Sequence, residues 1–138
     1  MKEGRYLQYI TKIDIHLFKD ISRNIITDEV VITEKQREHI EARHPGILRK
    51  YERYFKEILE NPDYIMIDNA RENTALIFKT ISKKNRKGIV IGTVNLVLRL
   101  AVIGEDENNK NSIITCIPVG KNRLKTYIKN GKIIYKKE

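Results

Sequence analysis

Tryptophan is absent from this 138-residue chain, cysteine occurs once and proline three times. A single cysteine cannot close an intramolecular disulfide, so the fold uses no bridge and suits a reducing compartment. It also excludes a cysteine-built zinc site, because structural zinc takes four ligands, mostly Cys and His. Long apolar runs are missing as well. The most apolar stretch, 89–103, is broken by Asn95 and Arg99 and falls short of the ~20 residues that cross a bilayer. The N-terminal MKEGRYLQYITKID lacks the apolar stretch of a signal peptide. The expectation is a soluble cytoplasmic protein with no membrane partner. Phosphate-loop, HExxH and dinucleotide-binding patterns do not occur, and no cofactor or metal is expected.

Charge, by contrast, is plentiful and one-sided. There are 27 Lys and Arg against 18 Asp and Glu, a formal charge of +9. The excess is not spread evenly. Residues 1–63 hold 12 basic and 12 acidic side chains, whereas residues 64–138 hold 15 and 6. One basic cluster is Lys83, Lys84, Arg86 and Lys87; another runs from Lys121 to Lys137. Such asymmetry favours a polyanion, nucleic acid first, meeting the 64–138 half. A hydrophobic fraction of 41% with 33% charged residues marks a globular chain. The length suits one domain, 1–138.

Periodicity divides that domain. Residues 6–18 alternate as a strand or hairpin arm, and Val30–Thr33 is a short apolar run. Thr33 with Gln36 forms a capping box that starts a helix over 34–44, which Pro45 and Gly46 end. A second helix over 47–60 carries Leu48, Tyr51, Phe55, Ile58 and Leu59 at steps of three and four. From Tyr64 the pattern is β: strands near 64–68, 74–81, 89–103, 112–119 and 132–137, with 122–129 a helical turn or loop. The class is α+β, with an N-terminal β element and two helices on one face of a four-stranded or slightly larger antiparallel sheet. In 89–103 the even residues Val90, Val94, Leu96, Leu98, Leu100 and Val102 are apolar and should meet the helices. Thr93, Asn95 and Arg99 then point to the other, wet face. Ser112 and Thr115, three apart on one strand, should point to opposite faces.

Reactive side chains concentrate at His39-Ile40-Glu41-Ala42-Arg43-His44-Pro45. His39 and Arg43 share a helix face. Imidazoles can exchange protons near neutral pH, and a guanidinium can neutralise a phosphorane. The plainer alternative has His44 capping the helix and His39 paired with a carboxylate. His16 reads as an exposed strand residue and Cys116 as a small core hydrophobe.

The order of H-I-x-x-R-H-P on a helix, N-P-D-Y-I at the end of the next, N-L-V-L-R-L on a strand and N-S-I-I-T on another resembles the phage-associated branch of the barnase–EndoU–colicin–RelE-like nucleases. The likeness spans roughly 30–120, leaving 1–30 as an N-terminal extension. The resemblance implies helices against a four-stranded antiparallel sheet. It also implies metal-independent RNA cleavage to a 2′,3′-cyclic phosphate. With the His–Arg–His cluster and the basic half, the expectation is a toxin or mobile-element effector with an immunity or antitoxin partner. The resemblance further implies His39 or His44 as general acid or base, Arg99 stabilising the phosphorane, and Thr115 or Ser112 positioning phosphate. Arg43, Lys79, Arg123 and Tyr127 are further candidates for RNA contact, chosen from position and charge. Two readings without catalysis use the same charge: a nucleic-acid-binding protein, or a protein-interaction module of inhibitor type.

Overall fold

The computed structural model describes residues 7–82, 90–104 and 110–138. The basic cluster 83–87 lies outside the described residues. The elements are β1 (Leu7–Lys12), β2 (Glu29–Thr33), α1 (Glu34–Arg43), α2 (Ile47–Tyr51), α3 (Phe55–Glu60), β3 (Tyr64–Ile67), β4 (Thr74–Ser82), β5 (Val90–Arg99), β6 (Asn111–Val119), α4 (Lys121–Asn130) and β7 (Ile133–Lys136). The α+β class holds, but the sheet is larger than expected and mixed. Seven strands run in the order β1-β2-β6-β5-β4-β3-β7. β2 lies parallel to β6 and the remaining neighbours are antiparallel.

Local chemistry sets the element ends. Thr33 Oγ1 accepts from Gln36 N–H at 3.0 Å and starts α1. The reciprocal half of the capping box is not made, because Gln36 Oε1 has no partner. Pro45 ends the helix at His44, and Gly46 turns the chain at φ 88°, a left-handed conformation that suits glycine. The expected 47–60 helix is α2 and α3 joined by a 3₁₀ turn over Glu52–Tyr54. The expected 6–18 strand stops at Lys12. Asp14 Oδ1 accepts from His16 N–H at 3.0 Å and opens a 3₁₀ turn over Ile15–Phe18, so His16 is exposed but not on a strand.

Alternation then sorts the strands into two faces. On the inner face Val94, Leu96 and Leu98 of β5, Ala75, Ile77 and Ile81 of β4, and Val30 and Ile32 of β2 pack with Ile40, Leu48, Tyr51, Phe55 and Ile58. Val94, Leu96 and Leu98 therefore meet the helices as expected. The outer face is not fully wet. α4 lies over one side of it, packing Leu124, Tyr127 and Ile128 around Met66, Phe78 and Val119. The Phe78 and Tyr127 rings meet at 5.1 Å and 57°, a geometry that contributes ~1 kcal/mol beyond burial. Gly131 permits this approach: a Cβ there would lie 2.6 Å from Tyr127 O and 3.0 Å from Met66 Sδ.

The parallel β2–β6 junction joins residues about eighty apart, and Asn111 holds it. Fully buried, Asn111 accepts from Ala101 N–H at 2.8 Å through Oδ1 and donates through Nδ2 to the Thr27 and Glu29 carbonyls, each at 2.9 Å. Lys110 pairs with Glu29 beside it and holds that carboxyl below the usual glutamate range. Asn111→Ala strands one buried and two part-buried backbone groups and should cost about 3 kcal/mol, read as a lower urea midpoint at unchanged m. Because Glu29 has a depressed pKa when folded, its contribution is present above the unfolded value of ~4.3 and lost as pH falls through the folded one. Any stability advantage over Glu29→Gln should therefore shrink on acidification in melts at low salt.

Candidate functional site

One residue too many on β6 organises the outer face. Arg99 pairs with Ser112 and Leu98 with Ile113, but Val97 pairs with Thr115, so Ile114 is a bulge. Directly paired residues on antiparallel strands share a face. Ser112 and Thr115 therefore both lie on the outer face with Val97 and Arg99. This corrects the expectation that they diverge: strict alternation counts Ile114, and the bulge removes it from the count. Ser112 and Thr115 are half-buried, as is Arg99.

Beside these rows, a cavity of about 360 Å³ lies between the sheet and α4, lined by residues including Leu76, Asn95, Val97, Ile117, Arg71, Arg123 and Tyr127. Asn95 is 3% exposed and its Oδ1 has no hydrogen-bond partner. Arg71 Nε donates to Asp68 Oδ2 at 2.9 Å, which fixes the guanidinium at the rim. Arg123 lies over the Tyr127 ring at 5.9 Å. Helix α4 carries Lys121, Arg123, Lys125 and Lys129 and no acidic residue, and no side chain caps its N-terminus. Its dipole and its side chains thus make the same end positive, a setting that attracts anions.

The helical candidates sit elsewhere. His39 and Arg43 are exposed on α1. His39 lines a separate cavity of about 500 Å³ with Lys35, Gln36, Glu38 and Ile114. That cavity and the outer face meet at β6, where Ile114 lines the first and its neighbour Thr115 projects onto the second. His44 is half-buried at the C-cap of α1, its N–H donating to Ile40 O at 2.8 Å. No imidazole lines the α4 cavity. Lys79, expected to contact substrate, is instead 7% exposed on the inner face: Nζ donates to Asn61 O at 2.7 Å and lies 3.7 Å from Asp63. It ties the end of α3 to the sheet, leaving its ammonium turned away from the outer face.

The structure thus gathers Arg99, Ser112 and Thr115 on one surface, with Arg123 and Tyr127 along its α4 border, and leaves both imidazoles outside the groove. Asn95 and Arg71 complete the groove. Asn95, a polar residue in the middle of an apolar strand, was a visible signal; Arg71, in a polar turn, gave none. Among the described residues no group of three His, Cys, Asp or Glu side chains is arranged to hold a metal, and no helix is long and apolar enough to cross a membrane.

Residues 6–136 match the family described as phage-Barnase-EndoU-ColicinE5/D-RelE like nuclease2. No curated protein and no solved structure matches the chain. The matched span includes β1 and β2, which the structure places in the same sheet as the rest.

Cys116 belongs to the core, as expected, and burial pushes its thiol up to about 12. It is protonated at neutral pH and no nucleophile. A disulfide reagent at neutral pH should leave the native protein unlabelled and titrate one thiol once guanidinium unfolds it; rapid native labelling would contradict this.

Proposed function

Because the chain belongs to the phage-associated barnase–EndoU–colicin–RelE-like nucleases, we propose that it is a metal-independent endoribonuclease whose RNA lies across the outer face of the sheet. The observation that carries this reading is the bulge at Ile114, which puts a guanidinium and two hydroxyls on one surface beside a cation-rich helix. In the reaction the ribose 2′-oxygen attacks phosphorus and the P–O5′ bond breaks. A base takes the 2′ proton and an acid protonates the leaving 5′-oxygen, giving a 2′,3′-cyclic phosphate and a 5′-hydroxyl end. Arg99 neutralises charge on the phosphorane, a role worth several kcal/mol when preorganised. Thr115 and Ser112 donate to non-bridging oxygens. The backbone is drawn by Arg123 and the positive end of α4, and Tyr127 offers a ring for stacking.

His39 is the better placed imidazole, since its cavity adjoins Thr115 across β6; His44 is the alternative, and Arg43 would contact RNA beside them. Loading the outer face brings the strand to the part of β6 beyond its short pairing with β2, within the region that α1 borders. A reading of RNA binding without turnover rests on the absence of any imidazole from the groove itself. In either case the 64–138 half meets nucleic acid. A toxin role, with an immunity protein as partner, fits a small nuclease of phage type and a cytoplasmic site of action.

Purified protein should cleave RNA in EDTA and leave cyclic phosphate ends. Arg99→Ala should lower kcat about 100-fold or more with little change in KM. His39→Ala should do the same, and an unchanged rate in the His39→Ala/His44→Ala double variant would remove both imidazoles from the mechanism. Arg123→Ala should weaken binding and flatten the plot of log K against log salt by about 0.7, the value for one phosphate on a single strand. Salt-steep binding with no cleavage under any condition would leave the binding reading.

A further inference from the structure

Among the polar residues of the sheet, Asn95 stands in an unusual position. It is 3% exposed, and its Oδ1 is buried without a hydrogen-bond partner. Buried amide oxygens are rarely left so. Its row on the outer face offers no relief, because its cross-strand neighbours are Phe78 on β4 and Ile117 on β6. Asn111, by contrast, is equally buried on the same sheet and uses both ends of its amide. Burial of an asparagine therefore does not by itself leave this fold with an orphan acceptor.

Asn95 itself belongs to the lining of the cavity under α4. At about 360 Å³ this is at the small end of ligand pockets, suited to one flat group and not to an extended chain. Val97 and Ile117 supply apolar walls, Tyr127 a ring and Arg123 a planar cation at the exposed rim. A ligand that fills this space must be flat, partly apolar, able to stack, and must carry an N–H on its buried edge. It gains further from an anion near Arg123. A nucleotide base has these properties, with its phosphate outside.

We propose that the α4 cavity is a nucleobase pocket in which Asn95 Oδ1 accepts an N–H from the base edge, making Asn95 a determinant of base preference. The inference rests on the nuclease reading only for RNA as the source of the base. It extends that reading from a sequence-blind contact with phosphate to a choice of nucleotide, since stacking and phosphate contacts alone tolerate any base.

Binding of the four nucleoside 3′-monophosphates to the full chain, followed through backbone amide shifts, tests it. One nucleotide should bind about tenfold more tightly than the weakest, with shifts at Val97, Ile117 and Tyr127. Asn95→Leu, similar in shape and lacking the acceptor, should reduce that spread to about twofold and leave the affinity for inorganic phosphate unchanged. Its Tm should equal or exceed that of the wild type, because an unsatisfied oxygen is removed. Equal binding of all four nucleotides, no binding at millimolar concentration, or a spread that survives Asn95→Leu would overturn the proposal. So would a lowered Tm, which would mark Asn95 as a structural residue satisfied by water. A base preference without RNA cleavage would refute the nuclease reading and leave the pocket standing; cleavage without base preference would do the reverse.

Discussion

An antiparallel pair keeps its faces in step only while both strands advance at the same rate, and β6 gains one residue on β5 at Ile114. Ahead of the bulge, Ser112 shares a face with Arg99; beyond it, Thr115 shares that same face with Val97. Without the extra residue, Ser112 and Thr115 would be divided between core and solvent. The inner face keeps its apolar content on both sides of the step, with Ile113 and Cys116 both buried among the helix-facing residues. One local irregularity thus serves two requirements, a continuous core beneath and Arg99, Ser112 and Thr115 together on the face above.

Helix α4 limits that surface. Its apolar side covers Met66 and Phe78, and its polar side is entirely basic or neutral. The positive excess of the 64–138 half is therefore concentrated, among the described residues, along one border of the outer face instead of being spread over the molecule. The acidic side chains gather elsewhere: Glu34, Glu38, Glu41 and Glu52 surround a cavity on the far side of α1, where Arg37 pairs with Glu52. This distribution of charge favours a polyanion on the α4 side over the acidic flank of α1.

What could be read from the residues follows the range of the interactions involved. The N-cap at Thr33, the stop at Pro45 and the apolar even positions of β5 depend on neighbours in sequence, and all were legible. The parallel pairing of β2 with β6 was not, because Asn111 satisfies carbonyls of a segment about eighty residues away and no local pattern marks that. The helix over 121–130 was half visible. Its apolar residues Leu124, Tyr127 and Ile128 have helical spacing, but they are few, and the hydrophobic ground they cover comes from β3 and β4. Lys79 shows the opposite failure: its charge suggested a ligand, while its place on the inner strand face, two residues from Ile77, foretold burial. In the candidate site, Arg99 on the wet face was legible from alternation alone. The company of Ser112 and Thr115 required the bulge, and the buried state of Asn95 required α4.

The central claim is that RNA occupies the outer face bounded by α4, with α1 contributing only from beside β6. Amide shift mapping with an oligonucleotide carrying 2′-deoxyribose throughout, which cannot be cleaved by 2′-hydroxyl attack, tests it most directly. The account predicts shifts concentrated on β5, β6 and the first turns of α4, including Val97, Thr115 and Arg123, with smaller ones at His39. Shifts confined to α1, α2 and α3, with the outer face silent, would contradict it.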